Sequence, residues 1–267
     1  MRIVNFLGGL GNQMFAYALY RYLERTFPGE RIYGCYRSGS LDVHGGLELE
    51  RVFNLRLPES RPLTDAFSRI YVLAKRLGLT RWENDREFTC WDVVFDGYWL
   101  DRHFYSDVDV SSMFRFRTEN LSEDCLWMLG RIRESRSVAL HVRRGDYMEG
   151  ENFGNFGRYC TEHYYHDAIG RMETLMNGAT YYIFSDDPEW AKEHIRPDSA
   201  VYVDLNRGRD NWADMLLMSE CKANIIANST FSYWAAMLNR NGGAVVCPRK
   251  WYRWDDPDIF PDNWIRL

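Results

Sequence analysis

The stretch Tyr181-Tyr182-Ile183-Phe184-Ser185-Asp186-Asp187-Pro188-Glu189-Trp190-Ala191-Lys192-Glu193-His194 decides the fold. Residues 181–184 form a short apolar run of β-favouring side chains, as in a buried strand. Asp187-Pro188 is a helix start, an N-cap acid followed by proline at the first helical position. A strand that passes into a helix through so short a turn is the repeating unit of a parallel α/β sheet. The same unit recurs on both sides. Strands are expected at Val138–Val142, Val201–Val203, Ile225–Ala227 and Ala244–Cys247, and helices near Glu162–Met176, Trp212–Cys221 and Phe231–Leu238.

Nearer the N-terminus, Ile3–Leu7 reads as a buried strand. Phe15, Leu19, Tyr22 and Leu23 then recur at helical spacing after Asn12, which is expected as N-cap, and Arg31–Cys35 reads as the next strand. Between about Ser38 and Asn120 the pattern is less regular, with one amphipathic stretch, Thr64–Leu79, and one aromatic segment, Trp91–Tyr105. A boundary near 125–137 divides the chain into two nucleotide-fold-like halves, 1–130 and 131–267.

Composition excludes several classes. A net charge of -5 argues against a sequence-independent grip on nucleic acid, which needs a basic footprint. The cysteines, Cys35, Cys90, Cys125, Cys160, Cys221 and Cys247, form no C-x-x-C pair, which excludes a zinc ribbon and reads as reduced thiols in a cytosolic protein. Met1–Leu7 enters an apolar segment without signal-peptide architecture, and no run is long enough to span a membrane. The expected location is therefore cytoplasmic. The stretch Arg61–Trp82 is locally basic, with Arg61, Arg69, Lys75, Arg76 and Arg81 against Asp65. A solvated helix face is the ordinary reading; peripheral contact with a membrane bearing a lipid-linked acceptor is the alternative.

Four strand-to-helix turns carry chemistry. Gly8-Gly9-Leu10-Gly11-Asn12-Gln13 opens a helix, where free N–H groups attract anions. Its glycines also suit a plain tight turn, but Asn12 and Gln13 point to ligand contact. His141-Val142-Arg143-Arg144-Gly145-Asp146-Tyr147 ends a strand, where open α/β sheets bind ligands. Alternation puts His141 and Arg143 on one face, and an arginine fork suits phosphate. A structural ion-pair knot is the competing reading. In Ser185-Asp186-Asp187, Asp187 is expected to cap, and Asp186 is the candidate ligand for a ribose, a base or a metal-diphosphate. Asn228-Ser229-Thr230-Phe231-Ser232 offers hydroxyls and N–H groups at a helix start, suited to a diphosphate or to simple capping. Together the four turns point to a nucleotide-diphosphate ligand.

The segments Gly8–Ala18, His141–Tyr147, Asp214–Met218 and Asn228–Ala236 resemble the bacterial α-1,2-fucosyltransferases of glycosyltransferase family eleven. Gly97-Tyr98-Trp99 with Phe104, and Pro248-Arg249-Lys250-Trp251, are similar to that family's middle and C-terminal elements. The resemblance implies an α/β, GT-B-like fold: two Rossmann-like domains whose parallel sheets face across a donor cleft, the first on the acceptor side and the second binding the GDP-sugar. It implies inverting transfer of L-fucose from GDP-β-L-fucose to the 2-hydroxyl of a terminal galactose in a glycan, by single displacement, with no cofactor and no metal. By the same resemblance Arg143 contacts the diphosphate, His141 the nucleotide and Asp186 the guanine or ribose. Ser229, Thr230, Phe231 and Ser232 cradle phosphate and fucose, and Gly11, Asn12 and Gln13 approach from the other domain. Asp146 is the candidate base or else orients Arg143, with Glu149, Glu151 or a mechanism without a strong base as alternatives. A transferase for another sugar nucleotide, or a non-catalytic glycan-binding protein, are the rival readings. The number of copies in the assembly is not legible.

Overall fold

The computed structural model describes residues 1–36, 39–43, 45–79, 88–253 and 257–267. Two compact units divide the chain, Met1–Arg117 and Thr118–Leu267. The boundary expected between 130 and 131 instead runs through a helix, Glu123–Glu134, which belongs to the second unit. Ser122 caps it by accepting from the Cys125 N–H. An amphipathic helix without a proline or glycine stop hides a domain border that lies just before it.

In the first unit β1 (Arg2–Asn5), β2 (Ile32–Cys35) and β3 (Val94–Phe95) form a parallel sheet in the order β2-β1-β3. The following helix spans Leu10–Thr26, two residues earlier than Asn12, with Gly9 at the cap position and no side-chain cap. Asn12 lies in the first turn and is no N-cap. Gly8 has φ +66, a conformation that glycine adopts without steric cost and that turns the chain out of β1 into the helix.

A second helix of this unit, Pro62–Arg76, packs the wrong way round. Thr64, Asp65, Ser68 and Lys75 are buried, whereas Leu63, Phe67, Ile70, Leu73 and Leu77 are exposed. Ser68 donates to Asn5 Oδ1 at 2.7 Å, Asn5 donates to Asp96 at 2.9 Å, and Lys75 Nζ donates to the Asp96 carbonyl at 2.8 Å. These buried bonds fix the helix rotation, because breaking them strands polar groups inside. The solvated face expected here holds for Arg61, Arg69 and Arg76, which are exposed, and is corrected for Lys75, which is buried together with Thr64, Asp65 and Ser68. Arg81 and Trp82 of that stretch lie outside the described residues.

The second unit holds β4 (Ser137–Val142), β5 (Thr180–Ser185), β6 (Ala200–Val203), β7 (Ala223–Ile225), β8 (Val245–Cys247) and β9 (Ile265–Arg266). All neighbours are parallel, in the order β6-β5-β4-β7-β8-β9. Val138, Leu140 and Val142 point into a core with Tyr165, Ala168 and Met172 of the Glu162–Leu175 helix. His141 alternates to the opposite face. β7 begins two residues before the expected Ile225–Ala227, since Ala223 already pairs with Val138. Trp234 and Tyr233 of the Thr230–Met237 helix are fully buried, and burial of one such side chain contributes roughly 1.5–3 kcal/mol.

Candidate active site

The strand order of the second unit reverses direction between β4 and β7. From β4 the chain builds outward through β5 to β6, then returns to build β7, β8 and β9 on the other side. The crevice at the carboxyl ends of two such strands is where open α/β sheets take their ligands, because the loops diverge there. The loop after β4 is Arg143–Tyr147 and the loop after β7 is 226–229.

Arg143 is held between two carboxylates. Its Nη1 lies 2.7 Å from Asp186 Oδ2 and its Nη2 donates to Asp146 Oδ1 at 2.6 Å. Asp186 also accepts the Arg144 N–H at 2.8 Å. One aspartate at the end of β5 thus fixes both the side chain and the backbone of the neighbouring loop. A guanidinium has five N–H donors, so Arg143 keeps donors beyond these two bonds. Gly145 leaves the Asp186 carboxylate its place: a Cβ there would stand 2.6 Å from Asp186 Oδ2. Arg144 is turned away, its guanidinium 3.9 Å over the Trp190 ring with Nε 3.2 Å from Asp187. Asp187 caps the Pro188–His194 helix by accepting from the Trp190 N–H at 3.2 Å.

The β4 and β7 loops are stitched together. The Tyr147 hydroxyl donates to the Asn228 carbonyl at 3.2 Å, and the His141 and Phe231 rings lie 6.0 Å apart. His141 is buried, and burial, reinforced by the Arg143 charge, lowers its pKa to about 3, so the imidazole is neutral. Among the described residues its buried Nδ1 meets no hydrogen-bond partner, and neither does Oδ1 of the fully buried Asn228. Asn228 spends its amide hydrogens on the Phe156 and Trp251 carbonyls. Orphaned buried polar atoms are uncommon and each calls for an explanation; these two sit at the strand ends that flank the reversal.

The structure therefore brings Arg143, Asp146 and Asp186 into one cluster, with His141, Ser229, Thr230 and Phe231 at the adjoining strand end. Ser229 occupies the cap position without using its side chain as a cap. Ser232 does not present its hydroxyl: it is completely buried and donates to the Ser229 carbonyl at 3.3 Å. Gln13 is likewise spent inside the first unit. Its amide donates to the Gly8 and Gly46 carbonyls at 2.9 Å each, and its Oε1 accepts the Glu48 N–H. Gln13 and Ser232 are braces, because their polar atoms already have partners. Gly11 is buried in the first helical turn beside Asn12, which is partly exposed. Glu149 and Glu151 are exposed, the first at the cap of the short Gly150–Asn152 helix and the second within it.

Sequence reasoning held Tyr147 and Asn228 inside its motifs without giving either a role of its own, and passed over Phe156. Tyr147 and Phe156 stack with centroids 5.1 Å apart, and Phe156 lies in a π-turn, Phe153–Gly157. Such turns recur at functional sites. The glycines and aromatics of Phe153-Gly154-Asn155-Phe156-Gly157 were the available signal. Among the described residues no three His, Cys, Asp or Glu side chains gather as a metal-holding group.

Two α/β units with parallel sheets, and an arginine-bearing crevice at the strand reversal, define a GT-B-type glycosyltransferase fold. The fucosyltransferase NodZ from Bradyrhizobium shares it, with a TM-score of 0.51 at 17% identity over 88% of this chain and 92% of that one. The family model for glycosyl transferase family 11 matches residues 88–267, and the chain belongs to that family. It is 31% identical to the O-antigen biosynthesis glycosyltransferase WbnK of Escherichia coli, over 97% of this chain and 98% of that protein. It is 28% identical to an alpha-1,2-colitosyltransferase of Escherichia coli, over 99% and 98%. A galactoside alpha-(1,2)-fucosyltransferase 1 from Leontopithecus chrysomelas is 28% identical over 45% of this chain and 35% of its own length.

Proposed function

We propose that the chain transfers L-fucose from GDP-β-L-fucose to the 2-hydroxyl of a terminal galactose in a glycan, with inversion, in one displacement and without a metal. The observation that carries this reading is the Arg143 fork, held by Asp186 and Asp146 beside two unpartnered buried polar atoms, His141 Nδ1 and Asn228 Oδ1. A diphosphate set against that fork and the Thr230 helix start meets spare donors and the positive end of a helix. The neutral His141 imidazole and the Asn228 amide oxygen supply groups for uncharged parts of a nucleotide.

In the step itself the bond from the anomeric carbon to the diphosphate oxygen breaks, and the galactose oxygen bonds to the opposite face of that carbon. Charge grows on the leaving diphosphate, where Arg143 neutralises it, so the fork stabilises the transition state more than the ground state. Asp146 bonds to Nη2 of Arg143 and serves as an orienting group. The attacking hydroxyl becomes acidic as its bond forms to an oxocarbenium-like carbon. Its proton then passes to solvent or to Glu149 or Glu151. Asp186 and Asp187 are each committed to arginine, which supports a metal-free reading.

A second reading has a specific observation behind it. One relative aligned along nearly the full length of both chains is named a colitosyltransferase, and colitose is L-fucose without its 3-hydroxyl. The test is incubation of the purified chain with GDP-fucose, GDP-colitose, GDP-mannose and UDP-galactose against a set of β-galactosides, with linkage analysis of the product. Fucose on the galactose 2-hydroxyl, formed equally with and without EDTA, is the expected result. Turnover of GDP-colitose alone would establish the second reading, and turnover of only GDP-mannose or UDP-galactose would overturn both.

A further inference from the structure

The Pro62–Arg76 helix is fixed with its apolar side outward. Leu63, Phe67, Ile70, Leu73 and Leu77 fall within an arc of ~120° on a helix of 100° per residue. Ile70 is 66% exposed and Leu63 84%. Just beyond the helix end, Leu79 is 75% exposed. Scattered surface leucines need no explanation, but a continuous stripe does. Rotation cannot hide it, because Ser68 and Lys75 on the opposite side are bonded to Asn5 and Asp96. Tyr71 of this helix joins the small apolar cluster of Ile3, Tyr33, Cys35 and Val94 beneath.

The charges around the stripe select its occupant. Arg69 and Arg76 are exposed along one border. The helix carries a single acid, Asp65, and it is buried. The chain as a whole has a net charge of -5, so a helix whose exposed charged side chains are both arginines is a local exception. Two copies joined across this face would set arginines near arginines with no carboxylate of the helix to answer them. An anionic lipid surface answers both features: acyl chains receive Leu, Ile and Phe, and headgroup phosphates receive the arginines. Among the described residues no helix is long and apolar enough to cross a membrane, which leaves binding in the plane of the interface.

We propose that the Pro62–Arg76 helix docks the protein on anionic membrane surfaces, with Leu63, Phe67, Ile70, Leu73 and Leu77 inserted and Arg69 and Arg76 at the headgroups. The proposal is independent of the sugar transferred.

The experiment is flotation of the full chain with vesicles of phosphatidylcholine alone or mixed with phosphatidylglycerol. The wild type is expected to float with the mixed vesicles, to float poorly with phosphatidylcholine, and to be released at about 1 M salt, where the Debye length is ~3 Å. Ile70→Asp should lower partitioning more than tenfold, and Arg69→Gln or Arg76→Gln roughly fivefold each. These side chains are exposed, so the variants should keep the wild-type melting temperature and circular dichroism, which are measured alongside. Wild type that does not float with anionic vesicles overturns the proposal, as does an Ile70→Asp variant that floats undiminished. A wild-type dimer that Ile70→Asp converts to monomer, with no vesicle binding, would assign the face to a second copy instead.

Discussion

Replacing Gly145 by alanine moves one carboxylate without changing any charge, and so isolates the geometry of the Arg143 fork. The new Cβ would stand 2.6 Å from Asp186 Oδ2, and ordinary contact begins at about 3.4 Å, so the carboxylate must retreat by ~0.8 Å. Along the bond axis this stretches the 2.7 Å contact to Arg143 Nη1 to ~3.5 Å, beyond a hydrogen bond. A hydrogen bond to a charged group contributes ~1.5–3 kcal/mol, and partial exposure of both side chains brings this to about 1–2 kcal/mol. That corresponds to a roughly 5- to 30-fold loss of GDP affinity. Since the obstacle is the far end of a flexible side chain, the fold should absorb it, with a melting temperature close to wild type. Calorimetric titration with GDP and the turnover rate with GDP-fucose measure the effect, with circular dichroism as control. Unchanged affinity and turnover in a folded Gly145→Ala protein would refute the reasoning and remove the Asp186–Arg143 contact from the donor site.

Arg143→Lys keeps the charge but loses the planar fork, so turnover should fall by about 3 kcal/mol, or ~100-fold, in a folded protein; near-normal kinetics would dismiss Arg143. Asp146→Asn should lower GDP affinity and turnover together, since Asp146 orients the arginine; a drop in kcat alone, by roughly 10²-fold or more, would make it a base. Asp214 is pushed up to about 7 by burial, although Asn206 bonds it at 2.7 Å. Its folded pKa lies above its unfolded one, so it favours the native state at low pH and loses that contribution as pH rises from 4 to 7. Asp214→Asn should therefore raise the melting temperature at pH 8 relative to wild type but not at pH 4, and a pH-independent difference would contradict this. Gln13→Leu should destabilise the first unit by about 1–3 kcal/mol, by stranding the Gly8 and Gly46 carbonyls and the Glu48 N–H; a variant as stable as wild type in urea would sink that role.

Much of the second unit was legible from the chain. Apolar runs of three to five residues bounded by caps and short turns announce buried parallel strands, because helices cover both faces of such a sheet and its side chains are apolar on both. Asp187-Pro188 marks its helix start to the residue, and alternation along β4 places His141 opposite Leu140 and Val142. β9 at Ile265–Arg266 and β3 at Val94–Phe95 were not legible, since two residues carry no periodicity and pair only because a sheet edge already exists. The site residues were legible as a set of strand-end turns, but not their division of labour. Gln13 and Ser232 carry the same kinds of polar atoms as Asn12 and Ser229. Only the distances to Gly46, Glu48 and the Ser229 carbonyl show that theirs are already used. The partnership of Arg143 with Asp186, 43 positions apart by way of a shared sheet edge, likewise arises from the β4–β5 register that pairs His141 with Phe184. The Pro62–Arg76 helix shows the limit most clearly. Its amphipathic period is a property of the sequence, yet period alone does not say which side faces in. Ordinary burial would turn Leu63, Phe67 and Ile70 inward. The hydrogen bonds of Ser68 and Lys75 to Asn5 and Asp96 turn them outward, because those partners come from strand ends that only the assembled sheet brings beneath the helix.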